Sequence, residues 1–423
     1  MDRFSRYNRG EIDRRALGCL GTALVCSFAF DIVSRLPGVS NSGTQQEGSC
    51  FLFVLIIVAF IIYFAYRQNI SEWLSSLKEK ISMSPLHRAA WNGDRERLKE
   101  MLRDERQRSR KTMNGCTALH YGVLSAHPEI LPMLADFIDV NAQDKEGRTA
   151  LHMACSMGSI ETVRQLLKLK ARHDIKDGEG AEALYLAVQG SNKEIVRLLI
   201  EQGGDVCGTR DGDMTPLHCA VCSKDPREAK ELETGDHLVF PPNYKSGSNL
   251  DIAGMLIEHG APVDATTVFH ETPLYLAVDE GNLPMVKLLV EHGASLEIGD
   301  KNGETPLFIA IADDIFPVVK YLIESGASLE TATDEGKTLM HIAAETAPKY
   351  VELLIKKKAE INVKDKSGKT ALHYAAQHDL NTVKTLIAHG ADPRDADYDG
   401  RTPLDLAAQS KDRTIAAYLR SLK

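Results

Sequence analysis

Apolar positions along most of the chain fall into pairs of short stripes at helical spacing. Residues 367–395, SGKTALHYAAQHDLNTVKTLIAHGADPRD, show the unit clearly. Leu372, Ala375 and Ala376 mark one face of a first helix. Val383, Leu386 and Ile387 mark one face of a second, because residues three and four apart share a helix face. Gly368 predicts a turn before the pair. Thr370 is placed to N-cap the first helix, since its hydroxyl can accept from freed backbone N–H groups. Gly390 predicts the exit in a left-handed conformation that costs glycine little. Neither helix is long or apolar enough to stand alone, so the unit requires neighbours of its own kind.

Those neighbours are present. Aligned on the Leu of Thr-Ala/Pro-Leu-His, the anchors are Leu86, Leu119, Leu151, Leu184, Leu217, Leu274, Leu307, Met340, Leu372 and Leu404. Their spacings are 33, 32, 33, 33, 57, 33, 33, 32 and 32. A period near 33 predicts a solenoid of stacked helical pairs with one continuous core. SPLHRAA (84–90), TALHMAC (149–155), TPLHCAV (215–221), TPLYLAV (272–278), TALHYAA (370–376) and TPLDLAA (402–408) recur in register. So do the exits HGAPVDA (259–265), HGASLEI (292–298), SGASLET (325–331) and HGADPRD (389–395). In these motifs the chain resembles an ankyrin-repeat array. The resemblance implies an all-α solenoid of about ten helix-turn-helix repeats over residues 84–423. It implies protein binding but no particular partner, since the fold hosts many.

The pattern differs before residue 84. Residues 1–15 hold Arg3, Arg6, Arg9, Arg14 and Arg15 and read as a basic cytosolic N-terminus. A first hydrophobic segment covers 16–33, with Gly18, Gly21, Thr22 and Ser27 inside it. It reads either as a transmembrane helix or as a signal-like segment. A polar loop, 34–49, is expected outside the cytosol. Residues 50–67 open with CFLFVLIIVAFIIYFAY, 17 residues without a charge. At ~1.5 Å per residue that run reaches about 25 Å, enough for a thin bilayer. Tyr63, Tyr66 and Trp73 stand where interfacial aromatics sit, and Arg67 can snorkel. The cations flanking both runs place the array in the cytosol, whether the first run spans or is cleaved. Asp2, Glu11 and Asp13 spoil an acid-poor mitochondrial presequence. The sequon at Asn69 would be silent on the cytosolic side. Residues 68–83 form a juxtamembrane linker, whose SEWLSSLKEKI can lie on the bilayer or pack on the first repeat.

The spacing of 57 marks an insertion at about 223–249 in repeat five. It carries three prolines and an apolar centre at Leu238, Val239, Phe240 and Tyr244. It reads as a loop that packs on the array's own flank or contacts a partner. The charged stretch Arg103–Lys111 reads as the polar outer face of an end repeat, with a weak attraction to an anionic leaflet as the alternative.

Composition narrows function. The formal net charge is −9, which argues against nonspecific nucleic-acid binding. Eight scattered cysteines do not make a disulfide framework, and most fall in apolar helix patterns, so free, buried thiols are expected. His87, His120, His152, His218, His341 and His373 share one repeat position. Tyr185, Tyr275, Phe308 and Asp405 fill it elsewhere, so the histidines read as structural, bonded near the Thr cap and the neighbouring turn. Cys219 and Cys222 have metal-ligand spacing but no second pair. No phosphate loop, nucleophile elbow or zinc-protease motif occurs. No catalytic residue, cofactor or metal ligand is therefore assigned, and the chain is not expected to be an enzyme.

The resemblance also places a groove. The residue after each seven-residue signature faces it in the family: Trp91, Leu124, Ser156, Gln189, Cys222, Asp279, Ala312, Glu345, Gln377 and Gln409. Partner contacts are expected at Trp91, Leu124, Gln189, Asp279, Glu345 and Gln377, with Phe240 and Tyr244 from the insertion. Trp91 reads equally as packed under the linker. The acidic middle favours a basic or amphipathic peptide. Asn362 resembles a site of asparaginyl hydroxylation in such repeats; the alternative is a turn hydrogen bond. The expected function is a membrane-anchored cytosolic scaffold or adaptor. The alternative is a regulatory subunit assembled with another membrane protein through the transmembrane hairpin.

Overall fold

The computed structural model describes residues 83–222, 248–409 and 413–422. All lie in one of the chain's two compact units, Glu79–Thr234 with Leu238–Lys423. The two hydrophobic runs, the linker up to residue 82 and the insertion's Phe240 and Tyr244 lie outside the described residues. Among those described, no helix is long and apolar enough to cross a membrane.

Ten helical pairs follow one another. Repeat one holds α1 (Pro85–Trp91) and α2 (Arg95–Met101), followed by the short α3 (Glu105–Arg108). Repeats two to four hold α4 (Ala118–Leu124) and α5 (Leu131–Ala135), α6 (Ala150–Ser156) and α7 (Ile160–Lys168), and α8 (Ala183–Gln189) and α9 (Lys193–Glu201). Repeat five holds α10 (Pro216–Val221) and α11 (Ser248–Glu258). Repeats six and seven hold α12 (Pro273–Asp279) and α13 (Leu283–Glu291), then α14 (Pro306–Ala312) and α15 (Phe316–Glu324). Repeats eight to ten hold α16 (Leu339–Thr346) and α17 (Val351–Lys356), α18 (Ala371–Ala375) and α19 (Leu380–Ala388), and α20 (Pro403–Gln409) and α21 (Thr414–Ser421). No named strand occurs among the described residues. Each first helix packs on the first helix before and after it, through α10 and α12 as well. The insertion therefore leaves the stack unbroken, and α11 opens at Ser248, inside the stretch read as insertion.

The helices are too short to be stable singly, because a first turn costs more order than it returns in bonds. Burial supplies the difference. The anchors Leu86, Leu119, Leu151, Leu217 and Leu274 are each 0% exposed in one continuous core.

Histidine ties the repeats together. In repeat three the Thr149 N–H donates to His152 Nδ1 at 3.0 Å, while the His152 N–H donates to Thr149 Oγ1 at 3.4 Å. This is a reciprocal cap with histidine in the role usually taken by Glu or Gln. The other ring nitrogen reaches the next repeat, with Nε2 of His152 3.2 Å from the Ala181 carbonyl. Since a carbonyl only accepts, the proton sits on Nε2 and the ring is neutral. His87, His120, His218, His341 and His373 make the same reach to Cys116, Arg148, Glu271, Lys369 and Arg401. The expected structural role is what the geometry shows. Asp405 takes the capping role in repeat ten, its Oδ2 accepting from Thr402 N–H at 2.9 Å.

The hairpin turns form fingers, and a second ladder joins their tips. The Lys145 N–H donates to Asn114 O, Gly178 to Glu146, Asp211 to Glu179, Val268 to Gly212, Lys301 to Phe269, Asp334 to Asn302, Lys366 to Glu335 and Tyr398 to Ser367, all at 2.7–3.0 Å. The ladder crosses the insertion at Val268. Gly147 shows why the finger needs glycine: its φ is +75°, and a Cβ there would lie 2.7 Å from the Gly178 nitrogen. Gly390 closes α19 at φ +100°, as its sequence position predicts.

Two outcomes follow. Gly147→Ala strains the finger and pushes the next one away, so a denaturant melt should show a loss of about 2–3 kcal/mol. Burial lowers the pKa of all six histidines, that of His120 to about 4. The unfolded chain then binds more protons than the folded one below about pH 6.5, so stability is present above that pH and lost as pH falls toward 4. For His120 the loss between pH 7 and 5 is about 2 kcal/mol. His120→Gln, which can cap and reach but does not titrate, should flatten the pH dependence of the melting temperature by a corresponding amount.

Candidate functional site

The residue after each first-helix signature is set by the same cap and the same length of helix, so these residues form a row across the stack. Trp91, Asp279, Gln377 and Gln409 are exposed. Leu124, Gln189, Cys222, Ala312 and Glu345 are half-buried, and Ser156 is buried at 6% exposure. The expected row is thus open at every member but Ser156. Trp91 is 39% exposed and stands edge-on to Tyr121 of the next repeat at 6.2 Å. Its apolar face continues to Leu124.

The middle of the row is acidic, but unevenly so. Residues 251–345 hold 17 Asp/Glu against four Lys and no Arg. Asp279 lies at the end of α12 with Glu280 directly after it, and Asp313 and Asp314 follow α14, beside the row positions Asp279 and Ala312. Two of the acids are held by lysine: Asp314 by Lys349, and Glu345 by Lys337 at 3.2 Å. Lys337 also lies 5.0 Å from the Tyr374 ring centre. Glu345 is therefore a partly neutralised member. Burial raises the Glu271 pKa, and the Asp279 and Asp300 carboxylates raise it further. Burial also raises Tyr275, with Asp300, Glu304, Asp279 and Glu271 adding to the shift. Gln377 leans back on its own helix, its amide 3.5 Å from the His373 carbonyl.

The finger tips add a feature that reasoning on the helix signature missed. Val268 and Phe269 are 54% and 45% exposed at the repeat-six tip, with the Lys301 ammonium 4.7 Å from the Phe269 ring centre. Tyr398 is 73% exposed at the repeat-ten tip. The signal was legible: Thr-Val-Phe-His at 267–270 stands where five other fingers read Asp-x-x-Gly. His270 keeps the turn at φ +63°, and Asp213 does so at +59° in the finger before.

Asn362 makes a turn bond. Its Nδ2 donates to the Gly390 carbonyl of the next repeat at 3.0 Å. Asn141 and Asp264 occupy the same repeat position and accept from Arg172 N–H and Ser295 N–H at 2.8 and 2.9 Å. The position links adjacent repeats, whichever side chain fills it. The described cysteines correct the expectation of buried thiols in part: Cys116 and Cys155 are buried, Cys219 and Cys222 half-buried, and Cys207 exposed. Cys219 has its thiol pushed up to about 12, by burial first and by Cys222 second. Among the described residues no group of three His, Cys, Asp or Glu could hold a metal ion.

A stack of capped helical pairs with laddered fingers and a groove row defines an interaction solenoid. The family model "Ankyrin repeats (3 copies)" matches residues 86–177, 169–233, 244–333, 296–365 and 339–423. The chain belongs to the ankyrin-repeat family. It is similar to mouse (Mus musculus) inversin, at 28% identity over 51% of this chain and 22% of inversin. It is similar to the nuclear factor NF-kappa-B p105 subunit of Gallus gallus, at 29% identity over 39% of this chain and 15% of that protein. The probable 26S proteasome regulatory subunit p28 of Saccharomyces cerevisiae matches at 30% identity over 33% of this chain and 65% of its own length. The matches span about a fifth or less of the first of these relatives. The ankyrin repeat domain of Bcl-3 superposes with a TM-score of 0.45 at 25% identity, over 56% of this chain and 98% of that one.

Asn362→Ala removes the tie to Gly390 at an exposed edge, so a denaturant melt should lose about 1 kcal/mol while the secondary structure by circular dichroism stays unchanged.

Proposed function

We propose that the chain is a membrane-anchored scaffold or adaptor that binds a protein partner through its groove and fingers. The partner segment is basic or amphipathic. The observation that carries this reading is the concentration of charge: 17 Asp/Glu against four Lys over 251–345, beside an apolar Trp91–Leu124 end. A cationic segment lying along the row would meet Asp279 and Asp313, with its apolar side on Val268 and Phe269 or toward Trp91. Electrostatic complementarity of this kind selects partners and speeds their encounter. Exposed Trp is a frequent anchor of such contacts. Two of the relatives are named as subunits, which supports an interaction role rather than catalysis.

The anchor rests on the sequence. The uncharged 17-residue run from Cys50 to Tyr66 is long enough for a thin bilayer, and the flanking cations favour an array in the cytosol.

Two measurements test the proposal. Peptide arrays of basic, neutral and acidic amphipathic helices, probed with the full chain in detergent, should retain the basic set. That binding should weaken steeply with salt, and by about tenfold or more in Asp279→Lys/Asp313→Lys, since exposed charges are screened beyond about 8 Å at physiological ionic strength. Equal retention of acidic or neutral peptides would reject the groove reading. In sealed membranes, protease added outside should digest a tag on the cytosolic array; an array protected in a lumen would reject the topology.

A further inference from the structure

The register of the repeats shows what is unusual about the first one. Its N-terminal side uses positions that the later repeats bury. Pro85 is exposed, whereas its counterparts Ala118, Ala150, Ala183, Pro216, Pro273 and Pro306 are buried. Arg88 stands where later repeats place Tyr121, Met153, Leu186, Ile309 or Ile342, each at most 8% exposed. That position packs on the preceding repeat: the Tyr121 ring lies edge-on to His87 at 5.3 Å, and Tyr374 edge-on to His341 at 5.8 Å. Arg97 stands where Thr162, Ile195, Met285 and Val318 are at most 1% exposed. Arg95 stands where Ile160 and Leu283 are half-buried. Arg88, Arg95 and Arg97 are all exposed.

An end repeat needs a polar face for solubility, and any polar residues would serve. Here all three replacements are arginine. The facing acids are few: Asp94 pairs with Arg97 at 3.5 Å, Glu96 is engaged by Lys99 at 2.8 Å, and in repeat two the Glu129 carboxylate, its pKa lowered first by a backbone hydrogen bond, also feels the Arg95 charge. Glu100 is the remaining acid of α2, and Asp104 and Glu105 follow at α3. Residues 83–111 hold nine Lys/Arg and five Asp/Glu, whereas residues 112–423 hold 32 and 47. One end of the array is thus cationic and the rest strongly anionic.

We propose that the cationic end face of repeat one, carried by Arg88, Arg95 and Arg97, seats the array on an anionic lipid headgroup surface. This deepens the membrane-anchor reading and rests on it. The supporting observation is position. Only residues 68–82 separate the uncharged run and Arg67 from Met83, so the face is held within one short tether of the leaflet. A short tether raises the effective concentration of a weak contact to the millimolar range. Arginine forks match phosphate geometry, and basic residues beside an anionic leaflet gain attraction within about a Debye length. The anionic remainder is repelled by the same surface, so docking by this end turns the acidic groove away from lipid and toward partners.

The test uses the full chain in nanodiscs of phosphatidylcholine alone or with phosphatidylserine. Phenylglyoxal modification of individual arginines is read by mass spectrometry. Arg88, Arg95 and Arg97 should react about fivefold or more slowly in the anionic discs. High salt should abolish the difference, and Arg394 and Arg401 at the far end should not respond. Equal rates in the two discs overturn the proposal. R88E/R95E/R97E, checked for folding by thermal melt, should remove any slowing at Arg103 and Arg106. Persistence of that slowing in the folded variant also overturns the proposal. A chain that does not stay with the discs overturns the anchor reading instead. Flotation of that chain with anionic but not neutral vesicles would then still support the end face, and its absence would reject it.

Discussion

In six of the ten repeats the structure depends on one recurring bond: a neutral imidazole that caps its own helix and donates to the carbonyl of the next finger. Each half would be ordinary alone. A cap satisfies a helix N–H group that would otherwise be left without a partner. A bond between repeats satisfies a buried carbonyl. Placing both on one ring makes the fold of a repeat and its attachment to the next a single event. At 0% exposure His120, His218 and His373 have no water to substitute for either partner. The finger-tip ladder from Lys145 to Tyr398 repeats the principle with backbone groups alone.

That arrangement separates stability from specificity. The tip ladder uses backbone groups alone, so the side chains of the groove row and of the finger tips can vary without disturbing the stack. Trp91, Gln189, Asp279 and Gln377 occupy one geometric row yet differ in size and charge. The acidity of repeats six and seven is then a local property laid on a uniform frame. The arginines of repeat one are a second such property, placed where the frame ends rather than along its groove.

Much of this was legible in the residues. The 33-residue period, the Thr caps, the glycine exits and the structural role of the histidines all followed from pattern and spacing. The histidine role was legible because Phe308 and Asp405 fill the same position, which no metal site or catalytic residue would tolerate. The partial neutralisation of Glu345 was not legible, because Lys337 reaches it from the finger, eight residues away along the chain. The loop within repeat five was legible from the spacing of 57 and its prolines, but the bond that carries the finger ladder across it was not. That bond runs from the Val268 N–H to the Gly212 carbonyl. The exposed Phe269 was missed because attention to the helix signature passes over the finger, where Asp-x-x-Gly gives way to Thr-Val-Phe-His. The cationic end face needed the structure as well, because Arg88 and Arg97 look like ordinary surface residues until their counterparts are seen to be buried.

Ten repeats form one continuously bonded frame that carries on across repeat five. Native-state amide hydrogen exchange of the full chain measures this directly. The ladder amides of Gly178 and Asp211, before the insertion, and of Val268 and Lys301, after it, should open with free energies within about 1 kcal/mol of one another, as one cooperative unit does. Two groups of amides that open independently on either side of the insertion would contradict it.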